Sequence, residues 1–259
     1  MEEHPAIPVI QRSEDRSSDQ ARSFKIVPNI APHASGSVLV STGDTQVICA
    51  VCLEDTVPRW MKEQNVLGGW ITAEYSMLPY STLTRRPRDV SKGKLDGRGV
   101  EIQRLIGRSL RAAIDLDLLG PRTVWVDCDV LRADGGTRTA AISGATVAVA
   151  LAFAKLMAAG TLEKWPLRSL VAAVSVGMVE GQVFVDLDYK EDKKATVDLN
   201  LVMSHRGEFI EIQGTGEEAT FSGTDLSGML AAGQRAIAGI IEHQRRILHD
   251  LAPGIPEID

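Results

Sequence analysis

The chain has 259 residues, 44% hydrophobic and 24% charged, with a formal net charge of −6 and a pI near 5.5. That size allows one large domain or two small ones and buries an apolar core without disulfides or a structural metal. The acidic total argues against nucleic acid as a partner unless the positive charge is gathered in one place.

In chain order, residues 1–30 are polar and proline-bearing, with a short segment over 24–27 that could pair as a strand. Segments 37–40 and 45–53 flank Thr42-Gly43-Asp44 and predict a hairpin. Cys49 and Cys52 fall in the second of these strands. Alternation points their thiols to opposite faces, which disfavours a zinc half-site or redox pair and favours buried structural cysteines. With Cys128 the count is odd and lacks paired spacing, so no secreted disulfide framework is expected, and a reducing cytoplasm is. Residues 70–75 read as a strand. The stretch from Arg85 to Arg98 then sets six cations (Arg85, Arg86, Arg88, Lys92, Lys94, Arg98) against Asp89 and Asp96. Its glycines, Gly93, Gly97 and Gly99, read as an irregular surface loop. Apolar residues recur at helical spacing over 100–114, with Arg104, Arg108 and Arg111 on another face. A strand over 124–131, a glycine turn and a long helix of small residues over 139–159 follow. The longest apolar stretch, 146–159, is interrupted by Lys155 and too short to cross a bilayer, and no secretory signal is visible, so no membrane association is expected. Strands over 171–176, 182–188, 195–204 and 208–213 and a helix over 225–248 complete the chain. Antiparallel hairpins mixed with packed helices predict an α+β fold.

Two places could carry chemistry. The first is Asp134-Gly135-Gly136-Thr137-Arg138-Thr139, between a strand and a helix. Glycines let a backbone approach an anion, a helix N-terminus offers free N–H groups, and Arg138 adds a charged fork. The turn is neither a Walker A loop nor a dinucleotide fingerprint, and it could be an ordinary capped turn. The second is the acidic group Asp186, Asp188, Asp192 and Asp198. Alternation puts Asp186, Asp188 and Asp198 on polar strand faces and Asp192 in a turn. Carboxylates converging near a strand end can hold a hard divalent ion, although spacing does not choose among the four. An anion site, a basic channel and a carboxylate-held metal are the parts needed to displace a phosphodiester. None of the five histidines (His4, His33, His205, His243, His249) sits in these segments, so histidine acid–base cleavage and a Ser-His-Asp hydrolase are not expected.

A set of motifs then resembles the ribonuclease PH family. They are Gly69-Trp-Ile-Thr-Ala-Glu-Tyr-Ser-Met-Leu-Pro79, Lys92-Gly-Lys94, Gly97-Arg98, Glu101-Ile-Gln-Arg-Leu-Ile106, Asp127-Cys-Asp129, Ala133-Asp-Gly-Gly-Thr-Arg-Thr139 and Leu187-Asp-Tyr-Lys-Glu-Asp192 with Val197-Asp198. The likeness runs from about Arg12 to the final helix. It implies mixed sheets packed on helices in two related β/α halves, 1–160 and 161–259, forming one compact unit. It also implies a homo-oligomeric ring, a hexamer built as a trimer of dimers. The implied activity is phosphate-dependent 3′→5′ trimming of RNA, chiefly tRNA precursors, with release of nucleoside diphosphates and reversible nucleotidyl transfer. The family's phosphate positions fall on Arg98, Gly136, Thr137 and Arg138. Its carboxylates, which hold Mg²⁺, fall on Asp192 and Asp198. Arg59, Lys62, Arg85, Arg86 and Arg88 would guide RNA. Tyr80, Gly99-Val100 and Asp15 depart from the family pattern, and none of them removes an expected catalytic group. The alternatives are a non-catalytic RNA-binding subunit of an exosome-like ring and a hydrolytic nuclease.

Overall fold

The computed structural model describes residues 11–94, 96–217 and 219–256, apart from the side chains of Val90 and Lys92. The Lys92 side chain of the basic segment therefore lies outside the described residues.

Two sheets enclose a central helix. In the first sheet, β1 (Phe24–Pro28), β2 (Gly36–Thr42), β3 (Thr45–Glu54), β4 (Trp70–Met77) and β5 (Thr123–Arg132) stand in the order β1-β2-β3-β5-β4. Only the β4–β5 pair is parallel. The β2–β3 turn closes on a Thr42↔Thr45 pair with Gly43 at φ +53°, a conformation that glycine adopts without steric cost. Short helix α1 (Arg59–Glu63) precedes β4; α2 (Asp89–Lys92) and α3 (Gly97–Ala113) lie between β4 and β5. The second sheet is antiparallel, ordered β7-β6-β8-β9, from β6 (Val171–Val179), β7 (Gln182–Val185), β8 (Val197–Ser204) and β9 (Phe209–Gly216). Helix α4 (Thr137–Ala158) joins the sheets, α5 (Tyr189–Asp192) links β7 to β8, and α6 (Gly223–Leu251) ends the described fold.

Alternation along β2, β3 and β5 sends Val38, Val40, Val47, Cys49, Val51, Val124, Val126, Cys128 and Val130 to one buried face. Helix α4 packs on that face and on β6, so it is buried all round from Thr139 to Phe153. Its 22 residues are long and apolar enough to span a bilayer, which the interrupted apolar stretch did not suggest; here the helix is the core between two sheets. Small residues permit this approach. A Cβ on Gly36 would stand 2.3 Å from the Ala148 carbonyl oxygen.

The α+β architecture is the expected one, with four local corrections. The basic stretch is not wholly irregular, because it contains α2 and the start of α3, so Arg98 lies in the first turn of a helix. Strand β7 stops at Val185, where Asp186 turns to φ +54°. The connection expected to hold Asp192 as a plain turn is the helix α5. Cys49 and Cys128 are buried free thiols, but Cys52 is exposed.

Candidate active site

The site is assembled where the first sheet's glycine turn meets the second sheet's β7–β8 connection. The turn after β5 has Gly135 at φ +74° and Gly136 at φ +63°, and Gly136 is the N-cap of α4. A side chain at Gly135 would collide with the Leu187 carbonyl oxygen at 2.3 Å, so the turn lies directly on the backbone that leads into α5. Thr45 pins it from β3, accepting from the Asp134 amide at 2.9 Å and donating to the Gly135 carbonyl at 2.6 Å. Arg22 binds it from the other side. Its guanidinium donates to the carbonyls of Asp134 and Gly135 and to both carboxylate oxygens of Asp186, at 2.7 and 3.0 Å. The first-turn amides of α4 have no intrahelical acceptor and present a positive helix end.

Three side chains surround that helix mouth. Thr137 is buried, and its hydroxyl lies 2.7 Å from the Tyr75 phenol oxygen. Arg138 is tethered by one nitrogen, Nη1, which donates to Gln213 Oε1 at 2.9 Å and lies 3.3 Å from Glu101 Oε2. Gln213 in turn donates to Glu101 at 2.9 Å and to Glu211 at 3.0 Å, and Glu211 takes a two-pronged bond from Arg108. Arg98 is exposed on the first turn of α3.

The four aspartates sort themselves by partner. Asp186 is buried against Arg22. Asp188 is the N-cap of α5, accepting from the Lys190 and Glu191 amides in a capping box. Both are structural. Asp192 and Asp198 have no ion-pair partner among the described residues. Burial raises the Asp192 carboxyl; Arg98 and Arg138 pull it down while Glu217 pushes it up. Burial pushes Asp198 up to about 6, and the negative charge of Asp192 adds to this. One oxygen of Asp198 accepts from Asn200 at 3.2 Å, whereas the other is buried with no hydrogen-bond partner among the described residues. Arg138 acts on both carboxylates and Arg98 on Asp192, so two cations and two acids share one locus.

The sequence matches both domains of a known enzyme family: domain 1 of the 3′ exoribonuclease family over 20–155 and domain 2 over 169–236. It is 51% identical over 245 residues to the ribonuclease PH of Bacillus mycoides (strain KBAB4), covering 94% of this chain and 99% of that protein. The chain belongs to the 3′ exoribonuclease family. The ribonuclease PH of Listeria monocytogenes serotype 4a (strain HCC23) is 50% identical over 240 residues, covering 92% of this chain and 96% of the relative. Among solved structures, the Archaeoglobus fulgidus exosome with RNA bound to the active site has a TM-score of 0.76 at 23% identity, over 90% of this chain and 92% of that one. At that identity the likeness speaks for the fold alone. The activity that accompanies membership is phosphorolytic trimming of RNA 3′ ends in tRNA processing, a nucleotidyl transfer.

Of the residues expected at the exoribonuclease site, Arg98, Gly136, Thr137, Arg138, Asp192 and Asp198 come together. Arg85, Arg86 and Arg88 lie on the segment between β4 and α3, where Arg86 pairs with Asp96 at 3.2 Å and Arg88 acts on Asp129 of β5. Arg59 and Lys62 do not join them. They sit on α1, where Trp60 packs edge-on against Trp70 at the start of β4, the opposite end of β5 from the glycine turn. Ten residues of strand separate the two ends, roughly 30 Å. Arg59 is paired with Glu63, and Lys62 donates to Thr56.

Sequence spacing missed the residues that hold this candidate site in shape. Arg12 and Arg16 bind Glu191 and the backbone at 185–186, and Arg22 binds Asp186. Together they fasten the polar N-terminal stretch to β7 and α5. Tyr75, Glu101 and Gln213 were likewise not singled out as site residues. The contacts that bring all six to the site span 37 to 179 positions, beyond the reach of any local pattern. The only available signal was that Tyr75 and Glu101 fall inside the family motifs.

Proposed function

We propose that orthophosphate is held at the mouth of α4 by Arg98, the Thr137 hydroxyl, Arg138 and the free amides that follow Gly136. From there it attacks the last phosphodiester of RNA. A phosphate oxygen bonds to phosphorus, the bond from phosphorus to the penultimate 3′-oxygen breaks, and a nucleoside diphosphate leaves. The 3′-oxygen takes a proton from water, a transfer that the Asp198 carboxylate can assist. Arg98 and Arg138 offset the charge that grows on the reacting phosphoryl oxygens. Bond energies on the two sides are similar, so nucleotide addition to an RNA end runs in reverse. The observation that carries this reading is the convergence of two arginines and two unpaired aspartates across the join between the sheets.

Asp192 and Asp198 suit a divalent ion such as Mg²⁺. Both carboxylates are destabilised as anions, and one buried Asp198 oxygen has no hydrogen-bond partner among the described residues. An ion held by two carboxylates would keep several waters and take substrate oxygens. Bound there, it would neutralise charge on the phosphates. Arg85, Arg86 and Arg88 guide the RNA strand inward, and Arg59 and Lys62 meet the body of a longer RNA. We further infer a hexameric ring acting on tRNA precursors in the cytoplasm, a compartment that suits three free thiols.

Purified protein incubated with a short oligoribonucleotide and Mg²⁺, with and without phosphate, tests the chemistry by chromatography of the released nucleotide. Diphosphate formed only with phosphate is the expected result. Monophosphate independent of phosphate would make the chain a hydrolase, and no product at all would make it a non-catalytic ring subunit.

A further inference from the structure

Thr137 is placed unusually for a hydroxyl in the first turn of a helix. Such side chains ordinarily bond back to the local backbone, as Thr139 does here by donating to the Gly136 carbonyl at 2.8 Å. Thr137 instead has one hydrogen-bond partner among the described residues, the phenol of Tyr75, at 2.7 Å. Tyr75 comes from β4, 62 positions earlier in the chain. It is adjacent in space because β4 runs parallel to β5 and sets Tyr75 opposite Cys128. The ring fills the core and the hydroxyl emerges under the helix mouth.

The two hydroxyls hold two protons between them, and one proton occupies their mutual bond. The other points outward and can serve an acceptor. If Thr137 donated to Tyr75, the spare proton would sit on a buried phenol on which Arg98 and Arg138 act, with no acceptor to receive it among the described residues. If Tyr75 donates, the spare proton is that of Thr137, directed to the place where an anion meets the free amides. Burial raises the phenol pKa, so Tyr75 keeps the proton it needs for this bond.

We propose that Tyr75 is a positioning residue for phosphate: its phenol donates to Thr137 and thereby fixes the Thr137 hydroxyl as a donor to the attacking anion. This deepens the reading of the helix mouth as the phosphate site and rests on it. Tyr75 itself does not touch the ligand. Its contribution is therefore specific to phosphate and silent toward RNA.

Four proteins test this: wild type, Tyr75→Phe, Thr137→Val and the double variant, each assayed for phosphorolysis over a range of phosphate at saturating oligoribonucleotide. Tyr75→Phe should raise the KM for phosphate by about tenfold, as expected for loss of an aligned bond to a charged group, and leave the KM for RNA unchanged. Thr137→Val should raise it at least as much, and the double variant should be no worse than Thr137→Val, because the phenol acts only through that hydroxyl. In a Thr137→Ser background, which keeps the acceptor, the Tyr75→Phe effect should return. Additive effects in the double variant, an equal rise in the KM for RNA, or no change in Tyr75→Phe would each overturn the proposal. Failure of the phosphate site itself looks different: Thr137→Val would then leave the phosphate KM as it is in wild type. If Tyr75→Phe fails to fold, the comparison moves to Thr137→Ser against Thr137→Val, where the serine must keep a wild-type phosphate KM.

Discussion

Arg138 has one nitrogen committed before any ligand arrives. Gln213 and Glu101 share its Nη1, which fixes the plane of the guanidinium and leaves Nε and Nη2 to fork an anion. Replacing Arg138 by Ala should lower the phosphorolysis rate on the order of 10²–10³-fold, the loss typical of a donor that stabilises transition-state charge. Lysine should not restore it, because a point charge cannot reproduce the tethered fork. Steady-state rates with unchanged thermal unfolding are the measurement, and a near-normal rate in Arg138→Ala would remove the residue from the reaction. Asp198 works against stability. Its folded pKa of about 6 lies above the ordinary 3.8, so ionising it costs the native state more than the unfolded chain. That penalty is absent below about pH 3.8, grows as pH rises and is complete above about 6. With metal chelated, Asp198→Asn should therefore be more stable than wild type at pH 7.5, by about 1–3 kcal/mol. The gain should shrink to nothing near pH 4 while activity is lost throughout. Paired denaturant curves at the two pH values decide it; a pH-independent difference would show that the carboxyl is not the destabilising group.

The elements place these side chains through contacts that sequence spacing reveals only in part. Apolar content, periodicity and turn residues identify every strand of both sheets and the three long helices, although α4, buried all round, and β6, buried on both faces, carry no one-sided period. It fails where a distant partner sets the backbone. Gly93, Gly97 and Gly99 suggest a loop up to Arg98, but Ile102, Leu105, Ile106 and Leu110 bury one side of α3 and the helix extends back to Gly97. Strand β7 ends early because Asp186 adopts a left-handed conformation fastened by Arg22, 164 positions away. The same limit applies to the acids: spacing offers four aspartates, and only the partners of Asp186 and Asp188 show why those two are structural. The glycine turn itself is legible, but its seat is not. Gly135 lies against the backbone of Leu187 and Asp188, so the distance from the helix mouth to Asp192 depends on a residue with no side chain. Gly135→Ala should cost about 1–3 kcal/mol from its positive φ alone, and the clash must also push the turn away from α5. The kcat should therefore fall further than stability predicts. Activity measured well below the unfolding temperature separates the two effects, and a folded Gly135→Ala protein with wild-type kcat would mean that the junction is not what registers the site.

At the scale of the whole molecule, a net charge of −6 has to admit a polyanion. The charge is uneven, and the segment between β4 and α3 supplies the local field, with Arg85 and Arg88 exposed on the same stretch of chain as exposed Tyr80 and Leu83. Exposed apolar side chains beside exposed cations are also what an interface between copies of the chain would cover. The two roles leave different traces. If Arg85 and Arg88 meet RNA phosphates, Ala at both should weaken binding of unrelated single-stranded sequences alike. It should also reduce the slope of log affinity against log salt by about 0.7 for each phosphate that is no longer neutralised. The assembly should keep its mass, six times the 28.0 kDa chain if the ring is a hexamer. If the same residues hold subunits together, the mass should fall and the salt slope per bound RNA should stay as it was. Anisotropy titrations over a range of KCl, run beside sedimentation of the same samples, read both quantities at once. A wild-type mass with an unchanged slope would deny these arginines either part. The acidic surface would then have to admit RNA by way of the cations that remain, among them Arg86, Arg98 and Arg138, whose charges Asp96, Asp192, Asp198 and Glu101 already offset.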